Sequence, residues 1–283
     1  MLRWASLFAL AAASVLTACA APPRASATAR AAGAAAPSAP AAPALPDAEI
    51  VERALPAVVL VLNTHADGTI TYGAGFVVRS ADAPADASGD GAPHGFVLTS
   101  QHVVAGAKAL GAMLYKPGRP GYTPMDGGLS RYLFENQGDV VHAVEIAGDA
   151  TSDLAVVRID ADTSRVPALP LAKQPVHPGD RVLALGHPQE TVWSFTAGVV
   201  GAIQQGAIQH DAAIGHGSSG GPLLNTRGEV VGINVAMVVS ESRGLAFARP
   251  IAFASRYLDA PTAALGPLDQ SSPEASAVSC WRA

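Results

Sequence analysis

The segment Gly217-Ser218-Ser219-Gly220-Gly221-Pro222-Leu223 places a serine inside a glycine-rich loop, immediately before an apolar run. A serine hydroxyl is a poor nucleophile by itself, and it needs a base within hydrogen-bond reach and a carboxylate that orients the base. Glycines let the backbone turn sharply, so that main-chain amides can point at one place. We therefore expect the amides of Gly217 and Ser219 to form an oxyanion hole, worth about 3–4 kcal/mol per donor.

Two polar residues upstream of this loop stand at the ends of apolar, strand-like segments. His102 closes one such segment and Asp153 opens another. The serine loop also fits the G-x-S-x-G pattern of the α/β-hydrolases, in which the histidine follows the serine along the chain. Here the last histidine is His216, which precedes Ser219, so the α/β-hydrolase interpretation fails. The order histidine, aspartate, serine is the chymotrypsin order.

Downstream of residue 56 the apolar segments have the length of β-strands and are bounded by turn residues. Valine dominates these segments, which suits the packing of β-branched side chains on a pleated sheet. Because no convincing amphipathic helix is longer than a few turns, these segments predict an all-β sandwich or barrel. The predicted strands are residues 57–63, 73–78, 95–100, 140–147, 154–159, 181–186, 196–204, 222–224, 230–239 and 245–248.

The segments between the strands predict short helices and surface loops. Helices are predicted at residues 47–55, with the first residue as N-cap, and at residues 252–260. Residues 81–93 and 116–138 are rich in glycine, proline or aspartate and predict long surface loops. Residues 167–178 hold four prolines and no strand, so we place the boundary between two halves there.

The N-terminus has the pattern of an export signal. Arg3 precedes an apolar run and then small residues, which predicts a secretory signal peptide over residues 1–18. The run is too short for a membrane-spanning helix. Leu16-Thr17-Ala18-Cys19 resembles the lipobox of bacterial lipoproteins, which implies lipidation of Cys19. Alternatively, the same small residues form an ordinary cleavage site and the cysteine is discarded.

Residues 19–46 predict a tether, since 14 Ala and 6 Pro occupy the 27 positions from Ala20 to Pro46. Acyl chains on Cys19 stabilise membrane attachment by about 0.8 kcal/mol per buried methylene, so we expect an anchored protein facing the periplasm. Ala20 stands where an aspartate retains enterobacterial lipoproteins at the inner membrane, which favours the outer membrane. Without lipidation the protein would be soluble and periplasmic. Whether Cys19 is acylated or removed, Cys280 is left as a free thiol, and no disulfide framework is available.

The overall charge and the histidine positions exclude several other kinds of site. Lys+Arg 18 against Asp+Glu 23 gives a formal net charge of -5, which gives a nucleic-acid role no electrostatic support. His65, His94, His177 and His210 show no zinc-ligand spacing, and the acidic residues show no EF-hand pattern. We therefore predict no metal and no cofactor.

The motifs and their order together resemble the trypsin-like serine proteases, and within them the HtrA/Deg family, over about residues 54–251. The matching pieces are residues 73–78, 99–104, 153–159, 186–188, 197–200, 211–214, 217–224, 232–234 and 245–248. The resemblance implies a chymotrypsin-like fold of two six-stranded antiparallel β-barrels with a short C-terminal helix. The implied barrels span residues 47–166, with His102 and Asp153, and residues 167–258, with Ser219; a polar tail, residues 259–283, follows.

The resemblance also assigns roles to residues. His102 would be the general base and then the general acid, Asp153 would orient it, and Ser219 would be the nucleophile beside an oxyanion hole formed by the amides of Gly217 and Ser219. None of the residues implied for the specificity pocket is acidic, so no counter-ion is available for a Lys or Arg side chain. We expect cleavage after small or medium apolar residues. The implied pocket residues are Ala213, Ile214, Asn234, Val235 and Ala236.

Three features depart from the family pattern. Ser100 stands where the family has asparagine before the histidine, and Ser218 stands where it has asparagine before the nucleophile. Both changes conserve polarity and a small size, so we expect neither to block catalysis. Only about 30 residues follow the second implied barrel, so we expect no PDZ domain and question HtrA-style regulation.

Two functional classes remain open. The first is a serine endopeptidase that hydrolyses unfolded or damaged envelope proteins, since extended peptides can add a strand beside the active site. Its partners would be polypeptide substrates, the membrane through Cys19, and further copies of the chain in a homo-oligomer. The alternative is a protease-like binding scaffold that is catalytically silent, because family members can keep the triad while the oxyanion hole is collapsed.

Overall fold

The computed structural model describes residues 43–79, 94–119, 122–204, 206–235, 245–254 and 258. Within these residues, strands form two closed barrels, each with six antiparallel strands. The all-β double barrel predicted from the sequence is therefore confirmed. No helix in the described part of the chain has the length and apolar character needed to cross a membrane.

The two barrels follow each other along the chain. The first, in the order β1-β2-β3-β6-β5-β4, consists of β1 (Val58–Thr64), β2 (Ile70–Arg79), β3 (Gly95–Thr99), β4 (Ala109–Leu114), β5 (Val141–Asp149) and β6 (Leu154–Ile159). The second, in the order β10-β11-β12-β9-β8-β7, consists of β7 (Arg181–Gly186), β8 (Ser194–Gln204), β9 (Ala207–His210), β10 (Pro222–Asn225), β11 (Val230–Val235) and β12 (Ala246–Pro250).

In the part of the chain that the structure describes, three complete α-helices and several single turns lie among the strands. The helices are α1 (Asp47–Ala54), α2 (Gln101–Val104) and α3 (Gly128–Asn136). The described 3-10 turns are Leu55–Ala57, Pro124–Asp126, Gln137–Asp139, Pro188–Glu190 and Ile251–Ala254. Of the predicted C-terminal helix, the structure describes this last turn and a helical residue at Leu258. The predicted loop at residues 81–93 lies outside the described residues.

Two strands escaped the sequence prediction. Strand β4 reads ALGAML, and its alanines and central glycine have low β-propensity; it is a strand because it pairs with β1 and β5 to close the barrel. A Cβ on Gly111 would lie 2.8 Å from the Val140 side chain, which would have to shift to admit it. Strand β9 has only four residues and pairs with β8 and β12. Both segments are strands because they pair with neighbouring strands, and not because of their local β-propensity.

Two predictions about helices were wrong. Helix α3 lies inside residues 116–138, which the glycine and proline content predicted to be loop. It forms because Leu129 and Tyr132 bury one face while Phe134 is exposed on the other. The N-cap of α1 is Pro46, and Asp47 is the first helical residue. The Asp47 carboxylate makes no cap bond and is paired with Arg181 instead.

Candidate active site

Helix α2 carries His102 and is a single turn that directly follows β3. Val103 and Val104 are buried and anchor the turn, while the His102 side chain is 48 % exposed. The turn ends on carbonyls that lack helical partners. Asn63 of β1 satisfies two of them, because its side-chain Nδ2 donates to the carbonyls of Val103 (3.0 Å) and Ala105 (3.1 Å). Asn63 thus fixes the turn that presents His102.

The turn between β5 and β6 presents Asp153. Asp149 accepts hydrogen bonds from the amides of Thr151 (2.9 Å) and Ser152 (3.1 Å), and from the Ser152 hydroxyl (2.8 Å). These bonds form a tight turn in which Asp153 has φ 54°, the left-handed region that non-glycine residues adopt at a cost. The Asp149 turn therefore sets the direction of the Asp153 side chain.

His102 and Asp153 are in direct contact. The His102 Nδ1 lies 2.8 Å from Asp153 Oδ2 and 3.0 Å from Oδ1, and the His102 backbone amide donates to Oδ1 at 2.9 Å. Because an ionised carboxylate only accepts, Nδ1 carries the proton and Nε2 keeps a lone pair. The imidazole is thus held in the tautomer that a general base requires.

A buried cation from the second barrel lies in the electrostatic environment of this turn. Arg249 of β12 is 6 % exposed. Burial lowers the pKa of the Arg249 guanidinium, and the negative charges of Asp153 and Asp149 oppose that shift. Arg249 therefore adds positive potential on the side of these two carboxylates.

The loop that carries Ser219 is built around two glycines. The Ser218 amide donates to the Gly215 carbonyl (2.9 Å), and the Gly215 amide donates to the Ser218 hydroxyl (3.2 Å), which closes a turn. Gly217 has φ +91° and Gly220 has φ +85°, and a Cβ at either position would come closer than 3.0 Å to a backbone carbonyl oxygen. Only glycine satisfies both conditions.

This loop packs against the first barrel close to α2. Ser219 is 4 % exposed, and its backbone carbonyl accepts a hydrogen bond from the amide of Ala74 on β2 at 2.7 Å. A Cβ on Gly73 would lie 3.0 Å from that carbonyl and 2.6 Å from Val103, the neighbour of His102. One glycine of β2 therefore separates the serine loop from the histidine helix. Thr99, whose hydroxyl donates to Ala74 at 2.7 Å, ties the end of β3 to the same strand.

The residues implied for the specificity pocket have different environments. Asn234 is fully buried: its carbonyl accepts from the Gly220 amide, its amide donates to Gly221 (both 2.8 Å), and its Nδ2 donates to Pro222 (3.1 Å). Asn234 thus holds the serine loop from behind. Ala213 is exposed, whereas Ile214 and Val235 are half-buried. Ala236 lies outside the described residues.

The comparison with known proteins agrees with this architecture. Residues 73–233, more than half of the 283 residues, match the trypsin-like peptidase domain family. The chain belongs to this family. It is 29 % identical over 231 residues to the serine endoprotease DegS of Escherichia coli K12, covering 74 % of this chain and 55 % of DegS. It is 32 % identical over 222 residues to the mitochondrial serine protease HTRA2 of Bos taurus, covering 72 % of this chain and 40 % of HTRA2.

Solved structures of the same group share the fold. The serine endoprotease from Yersinia pestis superposes with a TM-score of 0.57 at 28 % identity, over 76 % of this chain and 66 % of that one. The HtrA-type protease AlgW, solved with a tripeptide, superposes with a TM-score of 0.57 at 28 % identity, over 75 % of this chain and 62 % of AlgW. The chain spans about half the length of the curated relatives that it matches.

Several residues that build the site escaped the sequence analysis. Asn63 and Arg249 are polar residues inside apolar strand segments, and such a position is itself a signal that a buried polar group has a partner. Asp149 precedes Thr151 and Ser152, a composition typical of an Asx turn. The Ser100 hydroxyl, expected to replace an asparagine, is buried, and no hydrogen-bond partner for it occurs among the described residues.

Proposed function

We propose that the chain is a serine endopeptidase in which Ser219 is the nucleophile, His102 the general base and Asp153 the residue that orients it. The observation that carries the proposal is the bonding of the Asp153 carboxylate to both Nδ1 and the backbone amide of His102. Together these bonds fix the tautomer and the direction of the imidazole. The trypsin-like domain match and the DegS and HTRA2 relatives support the same activity.

The proposed reaction proceeds through an acyl-enzyme. The Ser219 Oγ attacks the scissile carbonyl carbon while His102 Nε2 accepts the hydroxyl proton. The carbonyl oxygen gains the negative charge and accepts from the amides of Gly217 and Ser219. When the tetrahedral intermediate collapses, the peptide C–N bond breaks and His102 gives its proton to the leaving amine. Water, deprotonated by His102, then releases the second product by the same steps in reverse.

The substrates we propose are unfolded or damaged polypeptides of the bacterial cell envelope, cleaved after small or medium apolar residues. Ala213, Ile214, Asn234, Val235 and Ala236 include no carboxylate to pair with a Lys or Arg side chain. An unfolded chain can bind as an added strand through main-chain hydrogen bonds, which is compatible with many sequences. Profiling with a proteome-derived peptide library should show cleavage after Val or Ala, and strict cleavage after Arg or Lys would contradict the pocket assignment.

A periplasmic lipoprotein is the location that we propose, with acyl chains on Cys19, the outer membrane as destination and further copies of the chain as partners. The lipobox-like segment before Cys19 supports it. Metabolic labelling with an alkyne-tagged fatty acid should mark the wild-type protein and not Cys19→Ser. If both proteins remain unlabelled and appear in the soluble periplasmic fraction, the ordinary cleavage site is the correct interpretation.

A fluorophosphonate probe tests the activity itself, because it reacts only with an activated serine. We expect the full-length chain to be labelled, Ser219→Ala to be unlabelled, and the matched surface variant Ser164→Ala to be labelled like the parent. Digestion of casein should follow the same pattern. If the parent protein is not labelled even with added casein or peptide, the catalytically silent scaffold is the function to retain.

A further inference from the structure

Residues 122–139, which include α3, pack against the loop at residues 188–193. We call the first segment the insert and the second the 188–193 loop. We propose that the insert braces this loop, and that the loop orients the Gly217 amide, with Trp193 and Gln189 as positioning residues. The inference rests on the proposed function, since it concerns the oxyanion donor of that site.

The insert contacts the 188–193 loop through a backbone hydrogen bond and through aromatic rings. The Val192 amide donates to the Tyr122 carbonyl at 3.1 Å. Tyr132 of α3 is fully buried, and its ring lies edge-on 6.4 Å from the Trp193 ring and 5.7 Å from the Tyr122 ring, measured between centroids. Aromatic edge-to-face pairs at such separations are attractive. The insert therefore covers the loop with a buried aromatic cluster.

Trp193 is connected to the serine loop through His187. The Trp193 ring packs edge-on against His187 with centroids 4.6 Å apart, and the Trp193 amide donates to His187 Nδ1 at 3.1 Å. The His187 amide donates to the Gly217 carbonyl at 3.1 Å. Burial lowers the pKa of His187 to about 4, so the ring is neutral near pH 7 and Nδ1 can accept.

The decisive contact is made by Gln189. Its backbone amide donates to the His216 carbonyl at 2.8 Å. That carbonyl belongs to the same peptide unit as the Gly217 amide. Because a trans peptide is planar, with N–H and C=O pointing in opposite directions, holding the carbonyl fixes the direction of the N–H. The Gln189 bond therefore determines whether the Gly217 amide faces the oxyanion position.

The 188–193 loop does not hold this shape through local preference. Gln189 (φ 48°), Glu190 (φ 65°) and Trp193 (φ 57°) all lie in the left-handed region, which non-glycine residues avoid. Several such residues in one short loop persist only where surrounding contacts impose them. The Tyr122 carbonyl and the Tyr132 ring supply those contacts, and the Glu190 amide also donates to the Tyr72 hydroxyl at 2.9 Å.

The test compares variants of the full-length chain in steady-state peptide hydrolysis and in hydrogen–deuterium exchange. Tyr132→Leu and Trp193→Leu remove one ring each from the brace, and Trp193→Phe keeps an aromatic ring. Phe134→Ala is the matched control, because Phe134 lies on α3 but is 77 % exposed. Thermal unfolding identifies any variant that does not fold, and the two leucine variants test the same contact from its two sides.

We expect Tyr132→Leu and Trp193→Leu to lower kcat by about 10- to 100-fold, as for a misplacement of about 1 Å in a catalytic group, with little change in KM. Exchange should rise in peptides covering residues 186–190 and 215–218. Trp193→Phe should recover most of the kcat, and Phe134→Ala should match the parent in both readouts.

Two results would overturn the inference while leaving the proposed function intact: unchanged kcat in folded leucine variants, or increased exchange confined to the insert. A loss that appears equally in Phe134→Ala would also overturn it, since a general effect of α3 would then suffice. If the parent protein has no activity, the proposed function fails. Exchange at residues 215–218 then still decides whether the brace exists.

Discussion

Replacing Gly217 by alanine perturbs the proposed oxyanion donor without removing any hydrogen-bonding group. Gly217 has φ +91°, and a Cβ there would lie closer than 3.0 Å to both the His187 carbonyl oxygen and the Tyr72 ring. Since the carbonyl belongs to a buried backbone, the serine loop itself must move, by about 1 Å. A displacement of that size, or the loss of one oxyanion donor, lowers kcat by about 10²- to 10³-fold, or about 3–4 kcal/mol of barrier.

The matched control for Gly217→Ala is Gly68→Ala. Gly68 has φ +86°, almost the same backbone conformation, but a Cβ there meets nothing within 4 Å. The left-handed conformation costs alanine about 1–2 kcal/mol, so Gly68→Ala should lose this amount of unfolding free energy in urea titrations. Gly217→Ala should lose more, because the clash with the His187 carbonyl adds to the same conformational cost. Only Gly217→Ala should lose kcat in peptide hydrolysis. Gly217 would not be an oxyanion donor if folded Gly217→Ala keeps kcat within a few-fold of the parent, or if Gly68→Ala loses as much kcat.

Three further perturbations test the site and its support. Burial lowers the pKa values of His187 and His210 to about 4, so the unfolded chain gains protons below about pH 6.5 while the folded chain does not. The free energy of unfolding should be highest above that pH and should fall by about 3 kcal/mol per histidine as the pH approaches about 4. A free energy of unfolding from urea titrations that does not change with pH over this range would contradict this. Asp153→Asn should lower kcat by about 10⁴-fold with KM nearly constant, and a change confined to KM would argue against its orienting role. Thr99→Val leaves a buried carbonyl without its 2.7 Å donor and should cost about 1–3 kcal/mol in urea unfolding, whereas an unchanged midpoint would assign that carbonyl another partner.

The parts of the fold that sequence reasoning predicted well are those in which local pattern and tertiary environment agree. Strands β6 and β7 begin and end at the residues predicted, because each is an uninterrupted apolar run between turn residues. Strand β4 and helix α3 disagree with their local composition. The alanines of β4 are held by pairing with β1 and β5, and the glycine-rich start of α3 is compensated by the burial of Leu129 and Tyr132.

The candidate site shows the same division between local and distant information. The residue types of His102, Asp153 and Ser219 follow from the chemistry of an activated hydroxyl, whereas their order along the chain distinguishes the chymotrypsin arrangement from the α/β-hydrolase arrangement. The residues that position them are set by this fold alone: Asn63 reaches Val103 across 40 residues of sequence, and no local pattern predicts that pairing. The same holds for the Gln189 amide, whose side chain plays no part in its bond to His216. Every residue except proline has a backbone amide, so the residue type does not reveal which amide makes a given hydrogen bond. The orientation of an oxyanion donor is therefore the property of this site that is hardest to predict from the sequence.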